Sequence, residues 1–273
     1  MASVLATTSS ETDPLARHFA AWRASGRRAL VPYVTAGFPT PAVTGEVLGR
    51  LAEVGADIIE LGVPFSDPLA DGPTIQRSSH RAIEQGVSLA WTLEALAGFR
   101  ARHATPVVLF TYLNPVLAYG VERFIEDAVA AGAEGVLLTD LPVGSDPGLE
   151  ETFERSPLAL VRLVAPTTAR ERALEIARRS QGFVYYISRT GVTGARKTLR
   201  ETLVQEVAAL RAATEVPIVV GFGISTPEQA AEVARVADGV AVGSALIDAL
   251  DREGVGGAEA LVRGMREALD AIS

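Results

Sequence analysis

Glu60 stands inside an apolar run, Ile58, Ile59, Leu61 and Val63, that opens into a loop carrying Pro64, Asp67, Pro68, Asp71, Gly72 and Pro73. A charged carboxylate is costly to bury among such neighbours. An apolar pocket raises a carboxyl pKa, and a carboxyl that titrates near neutrality can both give and take a proton. One glutamate in that setting points to general acid–base chemistry; the alternative is a structural glutamate paired with an arginine. Asp71 is more ambiguous, because Asp-Gly is a common turn pair. Asp67 before Pro68, and Asp140 in Asp-Leu-Pro, leave the same choice open.

A second chemistry is written in glycines. Gly221, Gly223 and Ser225 fall together, as do Gly243 and Ser244, and Gly191 and Gly194 lie in a loop upstream. Glycine lets backbone N–H groups approach an anion, and a helix N-terminus adds favourable partial charge. These clusters point to a bound phosphate, against the plainer reading that they only turn the chain. His18, His80 and His103 show no ligand spacing and there is no cysteine, so no metal site is expected. Arg196 and Lys197, in the loop with Gly194, read as a solvated charge pair rather than as anion guides.

The elements that must hold these residues alternate. Apolar strand-like runs fall at 29–37, 57–63, 106–113, 135–140, 158–166, 183–189, 217–223 and 239–245. Between them lie helical patterns such as Val43, Val47, Leu51 and Val54. An additional helix over 14–25 precedes the first strand, and a last one carries Leu261, Met265 and Leu269. Continuous apolar strands suit a parallel sheet covered on both faces. Eight β/α units predict an α/β fold, a (β/α)8 TIM barrel in one domain over 14–273, with 1–13 as a short mobile leader. A doubly wound sheet is the competing architecture, weakened by the lack of GxGxxG after the first strand. In a barrel the βα loops build the site and loops 7 and 8 take phosphate, which is where Glu60, Tyr112, Asn114, Asp140, Tyr185 and both glycine clusters fall. Tyr185 and Tyr186 alternate along the sixth strand, so one faces the barrel centre and the other the helices.

Bulk composition narrows the function. The 273 residues carry a formal net charge of −8, with 48% hydrophobic and 21% charged residues. That balance offers no basic excess for nucleic acid. No apolar run reaches the ~20 residues of a membrane span, and the absence of cysteine fits a cytoplasmic protein.

ELGVPFSDPLADGPTIQ resembles the signature of the tryptophan synthase α chain family, and PYVTAG, YLNPV, LLTDLP, SRTGVTGA, GFGIS and VGSA follow the family's order. The resemblance spans about residues 15 to 272. It implies a lyase that splits indole-3-glycerol phosphate into indole and glyceraldehyde 3-phosphate by a retro-aldol reaction, with no cofactor of its own. On this sequence Glu60 matches the general acid/base, Asp71 the acceptor of the indole N–H, and Tyr185 a tyrosine of the active-site wall grouped with them. Tyr33, Phe110 and Leu137 match the indole pocket. Thr193 matches the threonine of the closing loop 6, and Gly194, Phe222, Gly223, Gly243 and Ser244 match the phosphate binders. Phe38, where many members have aspartate, and Tyr33, where some have phenylalanine, are departures outside the acid/base pair.

The resemblance also implies a partner, a β chain that holds pyridoxal phosphate, in an α2β2 assembly through which indole passes. Asp67 and Pro142 match positions at that interface. A stand-alone indoleglycerol-phosphate lyase and a catalytically silent barrel that only activates the β chain are the competing functions; the presence of both Glu60 and Asp71 speaks against the second.

Overall fold

The computed structural model describes residues 13–165, 167–187, 196–221 and 223–272, with the backbone alone for 196–202. In chain order α1 (Pro14–Ala24) leads to β1 (Ala29–Thr35), and α2 (Thr44–Glu53) to β2 (Ile59–Gly62). Two helices, α3 (Pro73–Glu84) and α4 (Leu89–Arg100), precede β3 (Val107–Thr111), and two more, α5 (Leu113–Tyr119) and α6 (Val121–Ala130), precede β4 (Gly135–Leu138). Single helices then alternate with strands: α7 (Pro147–Glu154), β5 (Ala159–Val164), α8 (Arg170–Arg178), β6 (Val184–Ile187), α9 (Arg196–Arg211), β7 (Ile218–Gly221), α10 (Pro227–Ala234), β8 (Gly239–Val242) and α11 (Ser244–Asp270). The eight strands pair in parallel and in order, and β8 returns to β1, which excludes the doubly wound sheet.

Strand periodicity divides the core in two. Val31, Val108, Leu137, Val161, Val219 and Ala241 fill the barrel interior. Their neighbours Leu30, Ile59, Leu61, Val107, Leu109 and Val220 pack outward under the helices. Leu15 and Phe19 of α1 join the interior group, with Phe19 and Phe183 rings 5.8 Å apart. The extra helix thus plugs the end of the barrel where strands begin. Leu15 crowds Gly135 and Gly182 so closely that a Cβ on either would lie about 3 Å from its methyl.

Asp13 fixes the plug. One carboxylate oxygen accepts from the N–H groups of Leu15 and Ala16 and the other from Gly182 at 2.6 Å. It is therefore the N-cap of α1 rather than the end of a mobile leader; the remainder of that segment, 1–12, lies outside the described residues.

Three further expectations are corrected. Arg196 and Lys197 are not loop residues but the first positions of α9; no glycine or proline interrupts 196–211, and both residue types favour helix. The eighth strand stops at Val242, not at 245, because the chain turns at Gly243 and Ser244 begins α11. Asn114 lies inside α5, not at a strand end. Finally, α11 is two helical segments joined at Gly254, whose φ of 68° and ψ of −159° are non-helical and accessible because glycine lacks a Cβ.

Candidate active site

Glu60 sits on β2 in register with Tyr33 of β1 and Val108 of β3. It is fully buried, and neither carboxyl oxygen has a hydrogen-bond partner among the described residues. No described arginine pairs with it, as the structural reading would require. Burial alone pushes its pKa up to about 8, so the group is mainly protonated at pH 7.

The loop after β2 is held by the helix it leads into. Ser79 of α3 accepts the Phe65 N–H and donates to the Phe65 carbonyl. Gln76 donates to the Asp71 carbonyl at 2.9 Å. Tyr112, at the end of β3, accepts the Ala70 N–H and donates to the Asp71 carboxylate, both at 3.0 Å. Burial raises the Asp71 pKa to about 6 while the Tyr112 hydroxyl opposes the rise. Two carboxyls on one wall are therefore pushed apart, one mainly acid and one mainly anion at neutral pH.

Both face a cavity of about 910 Å³ at the C-terminal ends of the strands, which also exposes Tyr33, Phe110, Tyr185, Gly223, Gly243 and Ser244. The aromatic wall is continuous: Tyr33 and Phe110 meet edge-on at 5.3 Å, and Phe110 and Tyr185 at 6.5 Å. Burial raises the Tyr33 and Tyr185 hydroxyls, and Asp71 and Glu60 add to the rise, so both stay neutral donors. Tyr186 points outward, its hydroxyl donating to Glu206 at 2.5 Å, as strand alternation requires.

Opposite the carboxyls the wall turns to backbone. Gly223 has φ 77°, and Ser225 beside it follows β7. Gly243 and Ser244 open α11, whose first turn leaves N–H groups free to receive an anion. The pocket thus joins an apolar aromatic slot with two carboxyls to an N–H-rich end.

Not every expected residue is there. Leu137 is fully buried in the interior core against which Phe110 packs, and does not line the cavity. Gly221 is likewise absent from the lining; it makes room for Tyr185, whose hydroxyl would lie 2.3 Å from any Cβ placed there. Asp140 accepts the Leu113 N–H at 2.7 Å, so it caps the start of α5. Asp67 and Pro142 are exposed, as expected of surface loops. Thr193, Gly194 and Phe222 lie outside the described residues. Sequence reasoning left Tyr112 without a role, and it missed Thr139 and Arg252 on the wall. For Tyr112 the available signal was a tyrosine at a strand end beside the Glu60 strand. Among the described residues no group of three or more His, Cys, Asp or Glu could hold a metal.

Comparison with known proteins agrees with this geometry. The model of the family described as "Tryptophan synthase alpha chain" matches residues 19–269. The chain is 50% identical over 238 residues to the tryptophan synthase alpha chain of Geobacter sulfurreducens, covering 87% of this chain and 90% of that one. It is 47% identical over 264 residues to that of Chloroflexus aurantiacus, covering 95% and 98%. Among solved structures, tryptophan synthase subunit alpha from Legionella pneumophila superposes with a TM-score of 0.86 at 36% identity, over 94% of this chain and 98% of that one. Mycobacterium tuberculosis tryptophan synthase does so with a TM-score of 0.86 at 38% identity and the same coverage.

Proposed function

The chain belongs to the tryptophan synthase alpha chain family, and from that premise we propose how its own residues carry out the lyase reaction, the cleavage of indole-3-glycerol phosphate to indole and glyceraldehyde 3-phosphate. The observation that carries the assignment is Glu60: a fully buried carboxyl without a partner, raised to about 8, facing the cavity.

Glu60 protonates indole C3, which makes that carbon tetrahedral and places positive charge on the ring nitrogen. The Asp71 carboxylate accepts the indole N–H and stabilises that charge. The ionised Glu60 then takes the proton from the hydroxyl on the side-chain carbon bonded to the ring. As that oxygen becomes a carbonyl, the carbon–carbon bond breaks and its electron pair restores the indole ring. Glu60 ends protonated, as it began, and the products are indole and the aldehyde. Tyr33, Phe110 and Tyr185 hold the ring in an apolar slot. The backbone at Gly223, Gly243 and Ser244 takes the phosphate; the family resemblance adds Gly194 and Phe222 as phosphate binders and Thr193 as a closing-loop residue, all three outside the described residues.

Family members carry no cofactor; pyridoxal phosphate belongs to the β chain. We assign the β chain as partner here, in an α2β2 assembly, with the barrel face bearing Asp67 and Pro142 as its dock. Leu69, 90% exposed beside Asp67, and Leu117, 53% exposed after β3, support this, because exposed apolar side chains on one loop-rich face suit an interface. A cytoplasmic setting fits a chain in which, among the described residues, no helix is long and apolar enough to cross a membrane.

The test is indole release from indole-3-glycerol phosphate. Glu60→Gln keeps the shape but cannot shuttle the proton, and should lower kcat at least ~10²–10⁴-fold; an unchanged rate overturns the assignment. Adding β chain should raise the rate, and a high rate indifferent to β would instead make this a stand-alone lyase.

A further inference from the structure

Arg252 is the one basic side chain among the described residues lining the cavity, against four acids, Glu60, Asp71, Asp248 and Glu253. An anionic substrate approaching that mouth meets carboxylates unless a cation offsets them. The backbone cradle supplies only the partial charge of a helix end.

Arg252 is placed to supply a full charge. It stands on the first segment of α11, the helix that starts at Ser244, roughly 12 Å further along its axis. Its Nε donates to the Asp248 carbonyl at 3.2 Å. The side chain therefore folds back toward the helix N-terminus, the direction in which helical Cα–Cβ bonds already lean. The Asp248 carboxylate is engaged elsewhere, accepting from Thr74 at 3.4 Å and pairing with Arg77 at 3.5 Å on α3. Among the described residues no carboxylate forms an ion pair with Arg252, although Glu253 is its chain neighbour.

We propose that Arg252 is a substrate-binding residue that draws in the phosphate dianion and supplements the backbone donors at Gly223 and Ser244. This rests on the phosphate reading above. The arginine acts on affinity and not on bond cleavage, because it is an exposed lining residue on α11, whereas the carboxyl pair stands on β2 and the loop that follows it. Being exposed, it acts through a salt-sensitive charge.

The test is calorimetric binding of glycerol 3-phosphate to the full chain at low and high ionic strength, with KM and kcat for indole-3-glycerol phosphate alongside. Arg252→Ala should weaken binding about fivefold at low salt and less at high salt, with KM rising in step and kcat holding. Arg252→Lys should keep most of the affinity. Arg263→Ala, which removes a charge elsewhere on α11, controls for net charge. Arg252→Ala within twofold of wild type, or Arg263→Ala equally weakened, overturns the role of Arg252 and leaves the phosphate reading standing. Failure of the wild-type chain to bind glycerol 3-phosphate overturns both.

Discussion

Tyr112 donates its hydroxyl proton to the Asp71 carboxylate at 3.0 Å while accepting the Ala70 N–H at 3.0 Å. One side chain from β3 thereby sets both the position and the charge of the loop from β2. Donation favours the ionised carboxylate and lowers its pKa against the effect of burial. Tyr112→Phe removes that donor, so the Asp71 pKa should climb above about 6. The acid limb of kcat/KM should move to higher pH, with a loss of roughly tenfold near neutrality. A pH profile superposable on wild type would show that Asp71 needs no such support.

Glu60 and Asp71 together predict a bell-shaped kcat/KM. Cleavage needs Asp71 ionised and Glu60 protonated, so activity should rise through about pH 6 and fall through about pH 8. Asp71→Asn should remove the acid limb and most of the rate.

Stability carries the same signature. The native pKa of Glu60, about 8, is raised above the ordinary glutamate value of 4.5, so between those values the folded state binds more protons than the unfolded one. Its contribution is fully present below about pH 4.5 and is lost as pH rises through about 8. Urea midpoints of wild type should fall across that window, and those of Glu60→Gln should fall less; parallel curves would refute the raised pKa.

Gly221 tests the aromatic wall. A Cβ there would meet the Tyr185 hydroxyl at 2.3 Å and its ring at 2.7 Å. Gly221→Ala should displace Tyr185 into the cavity, raise KM several-fold and cost roughly 1–3 kcal/mol. Adding Tyr185→Phe should recover part of the loss, because the closest clashing atom is gone. Substrate kinetics and denaturant unfolding measure the two effects separately.

The barrel was legible because buried parallel strands write continuous apolar runs, and eight such runs leave few architectures. Glu60 was legible for the converse reason, as an acid where the pattern calls for an apolar residue. Asp71 was not, since Asp-Gly carries the same local meaning in a plain turn; its proposed role rests on the family resemblance, and the contact that holds its carboxylate comes from Tyr112, 41 residues away along the chain. Gly221 was misread for a similar reason: sequence shows that a Cβ is missing but not which neighbour, anion or tyrosine, needs the space. The helix boundary at Ser244 depends on where the chain leaves the sheet, which Gly-Ser-Ala does not mark.

Arg162 carries the last prediction, because it ties the site's scaffold to the proposed partner face. It is 4% exposed on β5, and one guanidinium nitrogen meets Glu150 at 3.0 Å and Glu154 at 2.7 Å. Arg179 reaches the same two carboxylates at 3.0 and 2.9 Å. Glu150, fully buried, also accepts the Gly144 N–H at 2.6 Å, in the loop that contains Pro142. Arg162→Met leaves Glu150 with a single, partly exposed cation, and unfolding free energy should drop by about 3 kcal/mol. Arg162→Met with Glu150→Leu should regain part of that, since the under-compensated buried charge is gone, but it also frees Gly144. If the cluster serves stability alone, the double variant should bind the β chain as wild type does. If it also shapes the loop, affinity for β should stay low while the urea midpoint recovers, and that second result is expected.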